Sequence, residues 1–92
     1  MDYDHSRFGK CKIADITQGQ AEKFATAMQN TDALPQIVWN RRALIAASEA
    51  GIIAEPKLDA EQINAASPGY IRWLANCIAA SLAEASSIDP LP

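Results

Sequence analysis

Three short stretches of this 92-residue chain carry the chemistry of a helix start, and they decide where the chain can be helical. Thr17-Gln18-Gly19-Gln20 places a hydroxyl at an N-cap and an amide three residues on, the spacing of a capping box. Asp59 and Gln62 repeat it with a carboxylate, and Leu58 and Ile63 have the spacing of a hydrophobic staple across that start. Ser67-Pro68 sets serine at a cap and proline at the first helical position, where a missing N–H costs nothing.

The residues after these starts keep the helical period. Ala21, Phe24, Ala25 and Met28 form one stripe, ended by the turn chemistry of Asn30-Thr31-Asp32. Pro35 suits the first turn of a second helix that runs to about Ala50, with Gly51 placed to terminate it. The buried side expected there is Trp39, Ala43, Ala46, Ala47 and Ala50, flanked by Ile37 and Leu44, with Arg41, Arg42 and Glu49 facing out. In the last helix, from Pro68 to about Ser86, Ile71, Leu74, Ile78, Leu82 and Ala85 keep the period over four turns, joined by Cys77. Ile88-Asp89-Pro90-Leu91-Pro92 cannot continue a helix and reads as a tail.

Ahead of the first capping box, residues 1–16 read as irregular or weakly extended. Lys10-Cys11-Lys12-Ile13-Ala14 alternates polar and apolar, which fits a short edge strand needing a partner, expected from another chain. The fold expected is therefore all-α: three long helices and one short one, with room for a short N-terminal strand. Residues 1–16 precede a helical domain over 17–87, and a Pro-containing tail occupies 88–92.

Eighteen alanines give the expected core its character, since alanine favours helix and close helix approach but buries little area. Seventeen Leu, Ile and Val residues and six aromatics complete it. A domain this small hides only about 60–65% of its unfolded surface, so its stability is marginal and binding a partner would add to it.

Net charge is −3 with the two signs interspersed. No basic stripe exists to neutralise phosphates, and Arg41-Arg42 is too short to form one, so nucleic acid is not the expected partner. No stretch approaches the roughly 20 apolar residues of a membrane span. Cys11 and Cys77 lack CxxC spacing and Met1–His5 lacks an apolar signal segment, so both cysteines are expected as buried, reduced thiols in a cytoplasmic protein.

Chemistry-bearing residues are few. His5, beside Asp2 and Asp4, lacks the further His or Cys ligands that a metal site needs. Gly19 and Gly69 sit at helix starts without a phosphate-cradling loop around them. The carboxylates Glu22, Glu49, Glu55, Asp59, Glu61 and Glu84 are scattered, and neither cysteine has an evident base. No enzyme activity, cofactor or metal is expected. The aromatics are more informative. Tyr70, Trp73 and Cys77 form a second apolar edge on the last helix, beside the Ile71–Leu74–Ile78 stripe. That edge, with Trp39, is either packed within the domain or a surface for a protein partner or a second copy of the chain.

Residues 35–85 resemble a known family as a unit. A helix containing Trp39-Asn40-Arg41-Arg42 leads to Ala50-Gly51-Ile52-Ile53, then to Glu55-Pro56-Lys57-Leu58-Asp59-Ala60-Glu61-Gln62-Ile63 and a closing amphipathic helix. This order resembles the small tail-assembly chaperones of long-tailed bacteriophages, as do the Thr17–Phe24 start and the Ile88-Asp89-Pro90 ending. The resemblance implies a helical, non-enzymatic protein that keeps the tape-measure protein soluble and helps recruit tail-tube subunits in the host cytoplasm. It transfers no catalytic or cofactor residue, and the compact Pro-ended tail departs from members that are also made in a longer, frameshifted form. The different-class alternatives are a virion structural subunit and a small phage-encoded inhibitor of a host enzyme.

Overall fold

Capping chemistry places three of the four helices. In the computed structural model, which describes residues 1–86, Thr17 Oγ1 accepts from the Gln20 amide at 3.2 Å and Gln20 Oε1 accepts from the Thr17 amide at 3.0 Å. This opens α1 (Gln18–Ala27). The Asp59–Gln62 pair makes the same reciprocal bonds at 2.8 and 2.9 Å and opens the one-and-a-half-turn α3 (Ala60–Ala65). Ser67 caps α4 (Pro68–Ala85), with proline at its first position. Between them, α2 (Gln36–Glu49) follows Pro35. It ends in a Schellman motif: Gly51 takes φ +76°, its amide donates to the Ser48 carbonyl, and the Ile52 amide donates to that of Ala47. Only glycine adopts that backbone without strain. The expected tail at 88–92 lies outside the described residues.

The expectation of an all-α chain is overturned. A three-stranded antiparallel sheet accompanies the helices, in the order β1 (Asp2–His5), β2 (Gly9–Ile13), β3 (Ile53–Glu55). The segment read as an edge strand is the central strand, and both of its partners come from this chain. Tyr3 stands opposite Cys11 and His5 opposite Gly9, while Ile13 stands opposite Ile53 across a register irregularity. Gly9, at φ +91°, closes the three-residue turn between β1 and β2. The His5 ring fastens that turn, because Nδ1 accepts from the amides of Arg7 (3.0 Å) and Phe8 (3.3 Å). Met1 extends the pairing, exchanging bonds of 2.7 and 2.8 Å with Ile13.

Alternation gives the sheet two unlike faces. Asp2, Asp4, Lys10 and Lys12 point to solvent, with Asp2 opposite Lys12 and Asp4 opposite Lys10, an arrangement that favours this register. Tyr3, Cys11 and Ile13 point inward and meet α4. That helix also packs along α2, so it lies between the sheet and α2 with both sides covered. Leu44, Ala47, Ile52, Ile63, Leu74 and Ile78 are buried at the shared centre. On α2 the expected alanine face is buried, but Ile37 is 59% exposed and Trp39 only half-buried.

The capping pair at α3 makes a direct test possible. Asp59→Ala removes the carboxylate that accepts from the Gln62 amide, while the backbone N–H of residue 59 can still donate to Gln62 Oε1, and should cost about 1 kcal/mol. In a domain of this size that lowers the melting temperature by about 4–8 °C. An unchanged melting curve would show that α3 is not secured by its cap.

Candidate protein-interaction site

The second apolar edge of α4 is covered by the N-terminal hairpin. Tyr70, Trp73, Cys77 and Ser81 recur at intervals of three and four residues, one arc of the helix, and each meets a residue of the first eleven. The Phe8 ring lies 5.5 Å from that of Tyr70 and 6.0 Å from that of Trp73, and His5 meets Trp73 edge-on at 5.4 Å. Tyr70 and Trp73 stack on each other at 6.2 Å. Further along, Cys77 adjoins Cys11, and Tyr3 Oη and Ser81 Oγ share a hydrogen bond of 2.9 Å. Three of the four residues singled out from sequence are thus brought together, with Tyr70 and Trp73 half-buried and Cys77 buried. Trp39 sits apart on α2 and joins none of these ring contacts.

Both cysteines are free and buried. Burial, reinforced by the adjacent Cys77 thiol, pushes the Cys11 thiol up to about 12. Burial also raises Cys77 and, together with Cys11, the Tyr70 phenol. A thiol held neutral in this way is a poor nucleophile. Its role is to fill the seam between β2 and α4. His5 Nδ1 is taken up by the turn amides, and among the described residues no three His, Cys, Asp or Glu side chains stand together as a metal set. Among the described residues, no helix is long and apolar enough to cross a membrane.

Sequence reasoning missed one open apolar feature. α2, the C-terminal half of α3 and the start of α4 enclose a groove of about 260 Å³, floored by Ile63 and Ile71 and rimmed by Ile37, Val38 and Pro68. It continues, through Val38, Arg41 and Asn64, into a second hollow of about 300 Å³ along α2, walled by Leu34 and Ile45. A single exposed isoleucine means little on a protein surface. Ile37 matters because it continues into this apolar hollow. Arg41 crosses the groove, its Nη1 donating to Asn64 Oδ1 at 3.4 Å, and Arg42 lines the second hollow. A larger depression of about 470 Å³ lies over β3 and the 56–58 connector that follows it. The groove is the better candidate because helices wall it, and rigid elements hold a binding surface more firmly than a connector does. The signal that could have found it is α2 itself: Ile37, Val38, Leu44 and Ile45 are spread round more of the helix than one buried face accounts for.

No family model matches the chain, and neither a curated protein nor a solved structure resembles it significantly.

The buried thiols generate a pH and reactivity prediction. The Cys11 pKa is raised on folding, so its contribution to stability is complete below the ordinary thiol value of 9.0 and is lost as pH rises from there towards about 12. Denaturant midpoints should fall across that window, and less so in Cys11→Ala. Alkylation at pH 8 should proceed only as fast as the protein unfolds. Rapid alkylation of the folded chain would contradict the buried seam.

Proposed function

We propose that this chain is a non-enzymatic protein-binding module that holds a helical or hydrophobic segment of another protein against the groove between α2 and the α3–α4 corner. The observation that carries this reading is the continuity of exposed Ile37 with the apolar floor of Ile63 and Ile71. Ridges and grooves between helices accept a third helix readily, and a small domain gains stability from such an occupant.

The specific form of the proposal is an assembly chaperone or adaptor of the phage-tail kind that residues 35–85 resemble, acting in the host cytoplasm on the tape-measure or tail-tube protein. The resemblance spans α2 to α4, the elements that build the groove. The sheet lies mostly outside it and closes the opposite side of α4.

Co-expression with a phage tape-measure protein tests this reading. The wild-type chain should hold that protein in the soluble fraction, and Ile37→Asp should fail to do so with an unchanged melting temperature, because the side chain removed is 59% exposed. A tape-measure protein equally soluble with or without the chain would overturn the chaperone reading. Stoichiometric recovery of the chain in purified particles would make it a virion subunit instead, and tight binding to one host enzyme would make it an inhibitor.

A further inference from the structure

The groove carries information about its occupant. The protein is acidic overall, with 11 Asp and Glu against 8 Lys and Arg, yet two arginines and no carboxylate line the paired hollows along α2. Arg41 contributes to both, and there it donates to the neutral Asn64 amide, so no carboxylate of the lining balances its positive charge. A basic rim on an apolar floor in an acidic protein selects by charge as well as by shape.

The backbone limits the occupant's form. The walls are helices, whose interior amides and carbonyls are already bonded to one another. An extended segment laid here would find no strand edge to pair with and would bury its own backbone groups unsatisfied. A helix brings its backbone bonds with it. The stretch from Ile37 to Ile45 spans about 12 Å, a little over two turns, so it suits a short helix with apolar residues at i, i+3 or i+4, and i+7.

The longest helix of a second copy is not such an element. The exposed side of α4, the longest helix, presents Arg72, Asn76, Ala79, Ala80 and Ala83, with Glu84 near its end, and carries small side chains in place of a large apolar stripe.

Resting on the groove reading above, we infer that the groove takes an amphipathic helix of another protein whose apolar stripe is bordered by acidic residues, which meet Arg41 and Arg42.

Two designed helical peptides of about fourteen residues serve as probes, sharing one leucine stripe and bordered either by glutamates or by lysines. Binding is read by anisotropy and located by the Ile37 and Val38 methyl resonances. The glutamate peptide should bind at least about tenfold more tightly at low salt, with the gap closing as salt is added. The double variant Arg41→Glu/Arg42→Glu, checked for an unchanged melting temperature, should reverse the preference. Equal binding of both peptides at these methyls would overturn the acidic-helix inference while leaving the groove as a binding site. Methyl resonances moved by neither peptide would overturn both. Concentration-dependent dimerisation that shifts the same methyls would replace the inferred partner with a second copy.

Discussion

The structure depends on the fact that α4 is apolar on two sides. Ile71, Leu74 and Ile78 demand one cover and Tyr70, Trp73 and Cys77 demand another, and a helix with two such arcs is stable in water only between two layers. α2 supplies one layer with its alanine face, whose small side chains allow close approach. The N-terminal hairpin supplies the other through Tyr3, His5, Phe8 and Cys11. Each sheet contact falls on one arc of α4, from the aromatic rings near its start to the Tyr3–Ser81 hydrogen bond near its end.

This arrangement assigns most of the polar details a structural task. His5 fastens the turn that presents Phe8, Gly51 turns the chain out of α2 so that Ile52 and Ile53 reach the sheet, and the neutral thiols of Cys11 and Cys77 fill the interface where β2 meets the helix. What these demands do not use up is the groove on the far side, where Ile37 stands exposed and two arginines lie without an acidic neighbour in the cavity lining. The functional reading rests on that remainder.

The helices were legible in the sequence because their signals are local. Thr17 with Gln20, Asp59 with Gln62, Ser67 with Pro68, and Gly51 each act within one turn of the chain, and the period of α4 is unbroken. The sheet was not legible, because its strands are only four, five and three residues long and the second pairing joins Ile13 to Ile53, forty positions apart. The alternation at Lys10–Ala14 was visible, but nothing local shows that a strand will be central when its second partner follows a helix. The aromatic edge of α4 was legible as an edge, while the hairpin that covers it was not. The groove escaped for a related reason: Ile37 reads as a flanking core residue until the packing of α3 and α4 leaves it uncovered.

Native-state hydrogen exchange tests the central claim, that the first thirteen residues are the second cover of α4, most directly. The amides of Cys11, Lys12 and Ile13 in β2 should exchange only through global unfolding, with the same opening free energy as those of Leu74 and Ile78 in α4. Exchange of the β2 amides at rates near those of an unstructured chain, with α4 still protected, would contradict the account, because the aromatic arc would then be stable without its sheet.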